Sequence, residues 1–459
     1  MSHLLFGLVW VGMLGANDAA AAQATARFCV VWDLRFADAW DLMGSYPAVD
    51  DHWNTPGGAL TPYTEPAAGL RYAIVSELPG GGVAPVQSGW LEQSGVYAGC
   101  TPQLTLDSAN TYDVNVVSRA VAAGDIVEVR DAPDTASLYA VTLWNNFRPV
   151  SGISQQSQRS FHDPLWSDLL AVAWKTVSTF SPDGIQTIRL YPNGESPLRT
   201  TDPVDGSETC SYPLTGQGSS RNCGGEIFVK SSHLHRRYAI SHELGHTFWN
   251  RRVGATMASA DFGAGYPPGF AGACPAEAGT HSLQEVEYSG LAITEGWAHL
   301  VAAATWNDPS EGECWYRYWH DLDWDLHTAG NQWQDDLPPV SFSSADEWFD
   351  CAGTVGAMST GGLPIPPADF LGEYCGVPFS TQGLATELDW LRMFWGMRTL
   401  GYSQHALLAL VDASEPQSWT ETHLGPVGDQ PAWRLSQAAI GTPMAGSWAL
   451  SEVYHGVAW

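Results

Sequence analysis

The sequence predicts a multidomain protein in which an N-terminal all-β sandwich is followed by an α+β domain that ends in a mostly α-helical part. Two patterns support this prediction. Short β-rich runs between turn signals fill residues 27 to about 145, whereas apolar residues at helical spacing dominate the later part of the chain. The length of 459 residues suits two or three domains, and a hydrophobic content of 44% is sufficient for their cores.

Two features predict export from the cytoplasm. Residues 1–24 are typical of a signal peptide, with an apolar run at 4–14 and a small-residue site for cleavage after Ala24. All eight cysteines follow that site, and an even number in an exported chain indicates disulfides. Proximity in the sequence favours the pairs Cys29–Cys100 and Cys210–Cys223. We therefore expect a secreted or periplasmic protein.

The charge of the chain restricts its partners. Asp and Glu number 49 against 20 Lys and Arg, which gives a formal net charge of −29 at pH 7. Because nucleic acids and anionic membranes repel such a surface, neither is expected as a partner. No stretch after the signal reaches the roughly 18 uninterrupted apolar residues of a transmembrane helix, so membrane insertion is not expected either.

Residues 25–145 are expected to form the β-sandwich as an accessory domain. Alternation of apolar and polar residues, clearest at 111–117, is typical of half-buried strands. The run at 95–100, followed by Leu104 and residues 112–114, resembles the prealbumin-like β-sandwich modules appended to exported peptidases. The resemblance implies a role in binding or in folding. Strands are predicted at 28–32, 71–75, 111–118, 125–129 and 138–143.

Residues 146–459 are expected to form the second domain, with an α+β part at 146–252 and a helical part at 253–459. A polar linker is predicted at 151–160. The α+β part is predicted to contain a helix at 164–180, strands at 185–191 and 225–229, and a helix at about 236–251. In the last part, helices are predicted from residue 283 or 289 to 305, at 384–400 and at 405–411.

The pattern H-E-x-x-H occupies residues 242–246. Residues four apart lie on one face of an α-helix, so His242 and His246 can direct their imidazoles at one point. Two such histidines can bind one Zn²⁺, and Glu243 lies within reach of a water on that metal. The sequence therefore predicts a zinc site on the helix at 236–251.

A catalytic zinc site needs a third protein ligand. The continuation H-x-x-G-x-x-H is absent, because Trp249 and Arg252 stand where its Gly and last His would be. The best remaining candidate is Glu295, which lies on the next predicted helix. Alternatives to Glu295 are His281 and Glu287.

Together, His242-Glu243-x-x-His246 and Thr294-Glu295-Gly296-Trp297-Ala298 resemble the gluzincin metallopeptidases. The resemblance covers about residues 225–305 and implies a zincin-like catalytic domain that acts on a protein or peptide substrate. It implies zinc held by His242, His246 and Glu295, with Glu243 as the general base. The second run is similar to the N-E-G-F-A form of the aminopeptidase branch. Thr294 replaces the Asn, however, and no G-A-M-E-N-type motif precedes the first helix, so an endopeptidase is expected.

His299 lies one helical turn beyond Glu295 and faces the same way. The thermolysin-like branch has an aspartate at the equivalent position that orients a ligand histidine, so the resemblance implies a supporting role for His299. The alternative is a buried, hydrogen-bonded histidine without that role. Gly296, between the two, is expected to permit close approach to a neighbouring helix.

Three questions stay open at the level of sequence. Residues 224–229 could form the edge strand on which an extended peptide lies, or an ordinary strand of the sheet. A non-catalytic secreted binding or adhesion protein on a zincin scaffold is the alternative to an enzyme, although the intact Glu243 favours the enzyme. The donor that would stabilise an oxyanion has four candidates, which are Tyr288, Tyr316, His320 and Tyr402.

Overall fold

Sixteen strands and seven helices form within the part of the chain that the computed structural model describes. That part comprises residues 22–36, 61–78, 82–131, 137–180, 187–192, 198–201, 208–211, 221–223, 226–229, 234, 237–253, 286–306, 384–416, 419, 430–454 and 457. The strands are β1 (Gln23–Phe36), β2 (Thr61–Pro66), β3 (Leu70–Glu77), β4 (Val83–Trp90), β5 (Leu104–Asp107), β6 (Tyr112–Ala122), β7 (Asp125–Val129), β8 (Ala140–Phe147), β9 (Ser154–Phe161), β10 (Thr187–Pro192), β11 (Leu198–Thr201), β12 (Glu208–Ser211), β13 (Arg221–Cys223), β14 (Glu226–Val229), β15 (Glu287–Tyr288) and β16 (Leu384–Ala385). The helices are α1 (Ser167–Phe180), α2 (Arg237–Val253), α3 (Ser289–Trp306), α4 (Glu387–Thr399), α5 (Gln404–Ala413), α6 (Pro431–Ile440) and α7 (Ala445–Tyr454).

The N-terminal part is all-β, as predicted, and two sheets pack against each other there. One sheet has the strand order β2-β1-β5, with β9 also paired to β1. The other has the order β13-β14-β10-β7-β6-β3-β4, with β8 also paired to β6. The ring of Phe28 in β1 contacts the rings of Trp144 and Phe147 in β8, with centroids 5.0 and 4.9 Å apart. Buried and partly exposed residues alternate along β3 and β6 because one face of each strand lies on the core.

The predicted disulfide between Cys29 and Cys100 is confirmed. The two residues also form an antiparallel β-bridge, so the covalent link reinforces a backbone contact. The side chains of Cys210 and Cys223 lie outside the described part. No helix among the described residues is long and apolar enough to cross a membrane.

The predicted cleavage site coincides with the start of β1. This strand begins at Gln23, and Ala24 pairs with Leu106 of β5 and is 2% exposed. A cleavage after Ala22 would leave β1 whole, whereas the predicted cleavage after Ala24 would remove its first two residues. The rest of the predicted signal, residues 1–21, lies outside the described part.

The eight-stranded sheet continues across the predicted domain boundary at residue 145. β7 pairs in parallel with β10, and β10 pairs in parallel with β14. Strands from both sides of residue 145 therefore belong to one sheet, and one hydrophobic core extends from Ala26 to Val457. Sequence patterns gave no indication of this pairing, because β7 and β10 are distant in the chain and periodicity reports only local structure.

The prediction of a polar linker at 151–160 is wrong, because β9 occupies most of that segment. β9 pairs in parallel with β1, from Ser154 opposite Thr25 to Phe161 opposite Trp32. Its side chains are exposed or partly exposed except for Phe161, so the segment lacks the apolar face that identifies a half-buried strand. Backbone hydrogen bonds to β1 hold it in the sheet.

α1 connects the eight-stranded sheet to the later helices. The indole Nε1 of Trp174 donates to the carbonyl of Val121 in β6 at 3.1 Å. The hydroxyl of Thr176 lies 2.8 Å from the Ser241 hydroxyl of α2, which also accepts from Nε1 of Trp306 in α3 at 2.9 Å. The buried Ser241 hydroxyl therefore joins three helices one residue before the H-E-x-x-H pattern begins.

α3 is buried on all sides. All residues from 289 to 305 are buried, because the helix packs against α1, α2, α4 and α6. An α-helix in such a position is apolar around its whole circumference. Glu295 and His299 depart from that composition, and a buried carboxylate or imidazole requires polar partners nearby.

α7 carries a buried carboxyl group whose pKa is displaced. Glu452 is 7% exposed, and its Oε1 accepts from Nε1 of Trp448 at 2.6 Å and from the Ser436 hydroxyl. Burial raises the pKa of Glu452 above its usual value, although the two hydrogen bonds oppose the increase. Folding therefore makes the protonated form of this group more favourable than it is in the unfolded chain.

Glu452→Gln is expected to stabilise the fold at neutral and higher pH. Since the pKa is raised on folding, the contribution of Glu452 to stability is present below its unfolded-state pKa and is lost as the pH rises through the folded-state pKa. The amide keeps an acceptor oxygen and cannot ionise. We expect the melting temperature to increase by on the order of 2 °C at about pH 8 and to change little at about pH 4. Thermal unfolding at both pH values tests this, and an equal increase at both would contradict it.

Candidate metal centre

Three side chains predicted as metal ligands converge between α2 and α3. The Nε2 atoms of His242 and His246 are 3.1 Å apart, and Oε2 of Glu295 lies 3.1 Å from each of them. The two histidines lie four residues apart on one face of α2, as the helical period requires. The three side chains together form a group that could hold a metal ion.

The separation of the three donor atoms fits a tetrahedral metal ion. Ligand bonds of about 2.0–2.1 Å at tetrahedral angles place donor atoms roughly 3.3 Å apart, close to what is observed. The side chains of His242, His246 and Glu295 are 13%, 14% and 9% exposed, so the centre is partly accessible. Three protein donors leave a fourth position for water or substrate.

Two glycines allow close approach between neighbouring helices, one where α2 contacts α3 and one where α3 contacts α4. A Cβ at Gly245 of α2 would lie 2.6 Å from Cα of Ala298 in α3. A Cβ at Gly296 of α3 would lie 2.6 Å from Cβ of Trp390 in α4. The expectation that Gly296 permits close approach is therefore confirmed, with α4 as the neighbour. The contact between α2 and α3 depends on Gly245, which the sequence did not single out.

His299 contacts His242 through one ring nitrogen and Glu387 through the other. The sequence analysis did not identify Glu387. Nδ1 of His299 lies 3.0 Å from Nδ1 of His242, and its Nε2 lies 2.8 Å from Oε2 of Glu387. His299 and Glu387 have side chains that are 2% and 1% exposed. Glu387 opens α4, 88 residues after His299. No spacing rule connects the two positions, so only helix packing could reveal the contact.

Burial keeps His242 neutral. Desolvation, together with the neighbouring His299 and His246, lowers the pKa of His242 to about 3, against the opposing effect of Glu295. A neutral imidazole has one protonated nitrogen and one nitrogen with a free lone pair. Metal ligation requires that lone pair, so His242 is in the charge state that a ligand needs.

Trp249 and Arg252, which stand where the H-x-x-G-x-x-H continuation would have Gly and His, have packing roles. Trp249 stacks at a tilt against Trp297 of α3 and against Trp419, with centroids 5.6 and 5.9 Å apart. Arg252 forms an ion pair with Asp412 of α5, with Nη1 and Oδ2 2.6 Å apart. These residues attach the end of α2 to the helical part of the fold.

The predicted general base, Glu243, lies on α2 directly after His242 and is partly exposed. Of the alternative third ligands, Glu287 is buried in β15 and does not belong to the convergent group. His281 lies outside the described residues. Glu295 is therefore the carboxylate that accompanies the two histidines in the described part of the chain.

The four candidates for the oxyanion donor differ in their surroundings. The Tyr402 hydroxyl lies 3.3 Å from the Pro443 carbonyl and 3.2 Å from the Ser447 hydroxyl, so it is engaged with α7 and the turn before it. Tyr288 lies in β15, immediately before α3, and is partly exposed. Tyr316 and His320 lie outside the described residues.

β14 is an interior strand of the sheet, so the edge-strand interpretation of residues 224–229 is wrong. β10 pairs with it in parallel on one side, and β13 pairs with it antiparallel on the other, from Arg221 opposite Phe228 to Cys223 opposite Glu226. The three-residue β13 is too short to give a sequence signal of its own. Within the described part of the sheet, β13 is the outermost strand on this side.

Comparisons with known proteins add no argument about function. No family model matches the chain, and no curated protein matches it. Among solved structures, the chain is matched to a 9R-lipoxygenase from Cyanothece PCC8801 at 8% sequence identity and a TM-score of 0.15. That match covers 38% of this chain and 25% of that chain. A likeness at this TM-score carries no argument about the fold.

Proposed function

We propose that this chain is a zinc-dependent metallopeptidase that acts outside the cytoplasm as an endopeptidase on a protein or peptide substrate. The convergence of His242, His246 and Glu295 at mutual distances of 3.1 Å carries the proposal. Glu243 supports the peptidase function in particular, because a purely structural metal site has no need of a carboxylate next to its ligands.

The donor set favours zinc over calcium and magnesium. Two imidazole nitrogens and one carboxylate oxygen form the three-ligand set of catalytic zinc sites, whereas calcium and magnesium take mainly oxygen ligands. Glu295 supplies the single carboxylate, from a helix whose other residues near it are mostly apolar. When bound, zinc would polarise the scissile carbonyl and make the attacking water more acidic.

The chain itself supplies positioning and proton transfer. His242 and His246 are held at fixed spacing by α2, and Glu295 is held by α3, so the donors are preorganised before any ligand arrives. Glu243 accepts the proton of the attacking water and passes it to the leaving amine, which is the role of a general base that then acts as a general acid. Tyr288 and Tyr402 are the candidate oxyanion donors within the described residues.

Two observations support a site of action outside the cytoplasm. The disulfide Cys29–Cys100 is a feature of oxidising compartments. The apolar run at 4–14 with the small residues after it is typical of a secretory signal. The proposed activity is therefore that of an exported peptidase.

Purified protein is expected to contain about one zinc per chain and to cleave casein, and removal of the metal by a chelator is expected to abolish cleavage reversibly. Glu295→Ala is expected to lose both zinc and activity, because two histidines alone bind the metal weakly. Metal analysis and a casein assay measure the two quantities. Wild-type protein that retains zinc but cleaves nothing in a broad peptide library would favour the non-catalytic binding protein. Protein without zinc would overturn the proposal.

A further inference from the structure

We propose that Glu387 and His299 form a positioning relay that fixes the tautomer and the orientation of His242, so that Nε2 of His242 presents its lone pair to the metal. The inference rests on the proposed metal site but not on peptide cleavage. Glu387 takes part through His299, with which it shares a hydrogen bond. Both residues are positioning residues in this sense.

The first step fixes the proton of His299. Oε2 of Glu387 lies 2.8 Å from Nε2 of His299, so one proton is shared between these two atoms. A carboxylate only accepts hydrogen bonds, and the imidazole is the stronger base of the two groups. The proton therefore lies on Nε2 of His299, and the Nδ1 atom of the same ring is left as an acceptor.

The second step fixes the proton of His242. Its Nδ1 lies 3.0 Å from Nδ1 of His299, and two lone pairs at that distance would repel each other. Because Nδ1 of His299 accepts, Nδ1 of His242 must donate. Nε2 of His242 then carries the lone pair, and it is this atom that lies 3.1 Å from both Nε2 of His246 and Oε2 of Glu295.

The opposite arrangement would disable the site. If Glu387 were protonated and donated to His299, then His299 would donate to His242, and the proton of His242 would move to Nε2. A protonated Nε2 points at the metal position and cannot ligate. The negative charge of Glu387 therefore selects between two proton arrangements of the same three side chains.

The relay explains why two polar side chains are buried in the interior of the fold. His299 and Glu387 are almost fully buried, and each satisfies the other there. The carboxylate that commonly supports a metal-bound histidine directly acts here across one additional imidazole ring. α4 supplies that carboxylate from its first residue, close to the contact of Gly296 with Trp390 that holds α4 against α3.

Glu387→Gln tests the relay through zinc affinity, measured by competition with a chromophoric chelator and without any peptide substrate. The amide keeps the size of the side chain, but it can donate as well as accept and so no longer forces the proton of His299 onto Nε2, and we expect zinc to bind about 10- to 100-fold more weakly. Glu452→Gln is the matched control, because it makes the same change at a buried carboxyl in α7, and it should leave zinc affinity unchanged. Wild-type affinity in Glu387→Gln would overturn the relay, whereas absence of zinc binding in the wild type would overturn the proposed function itself.

A rescue variant separates positioning from general packing. In the double variant His299→Asp with Glu387→Gln, a carboxylate would face Nδ1 of His242 directly. We expect most of the lost zinc affinity to return, because the double variant restores the negative charge at a shorter distance. A double variant that binds zinc as weakly as Glu387→Gln would overturn the relay.

A measurement on the unaltered protein keeps the inference testable if the variants fail to fold. Nitrogen-15 chemical shifts of histidine side chains distinguish the two neutral tautomers. In the zinc-loaded wild type, His299 is expected to be protonated on Nε2 and unprotonated on Nδ1. The reverse tautomer would overturn the relay.

Discussion

Glu243→Gln is expected to lower the rate of peptide cleavage by about 10²- to 10⁴-fold while zinc stays bound. The side chain is partly exposed, next to His242 on α2, and is not one of the three donors that converge. Glutamine preserves the size of the side chain, but its amide is not basic and cannot accept the proton of the attacking water. Metal analysis and casein hydrolysis on the same preparation measure the two properties.

The control for Glu243→Gln is the same substitution at Glu452. That carboxyl is buried in α7, is hydrogen-bonded to Trp448 and Ser436 and is not one of the three converging donors, so its replacement should leave cleavage unaffected. If Glu243→Gln retained full activity with zinc bound, the assignment of the general base would be wrong and another group would have to accept the proton. If it lost zinc as well, Glu243 would serve the integrity of the centre rather than the chemistry.

The candidate site was predictable from the sequence only where its residues are coupled by local geometry. His242 and His246 share a helix, so a spacing of four residues was sufficient to place them together. Glu295 lies on another helix, and it was singled out by its place on the next predicted helix and by the resemblance of its surrounding residues to a known motif. Glu387 lies at no characteristic spacing from His299 and belongs to no recognised motif. Its contact with His299 is a consequence of the packing of α3 against α4.

The same distinction applies to the fold. Strands with one buried face, such as β3 and β6, were predicted because alternation along the chain reflects the two faces of a sheet. β9 was missed because its side chains are mostly exposed, and its pairing with β1 involves residues more than one hundred positions away. The pairing of β7 with β10 across residue 145 is a contact between distant segments, for which hydrophobic periodicity holds no information.

Gly245→Ala is expected to lower zinc affinity by about 100-fold. The added Cβ would lie 2.6 Å from Cα of Ala298 and 3.1 Å from its carbonyl oxygen, and both are backbone atoms of α3. Because backbone atoms cannot rotate away, α2 and α3 must separate. The two histidines would move with α2 and Glu295 with α3, and a shift larger than about 0.2 Å exceeds what zinc ligand distances tolerate. Chelator competition measures the affinity, and circular dichroism verifies that the helices remain.

Gly446→Ala is the matched control, because a Cβ at residue 446 of α7 would meet nothing within 4 Å. That variant should retain zinc, because the added methyl group has open space. A folded Gly245→Ala protein with wild-type zinc affinity would show that the helix contact does not set the donor geometry. Gly245 occupies one of the two unspecified positions of H-E-x-x-H, so metal binding does not require a particular residue there. The close contact with Ala298 on α3 is what requires glycine at this position. Helix packing, and not ligand identity alone, therefore determines whether Glu295 reaches the metal centre.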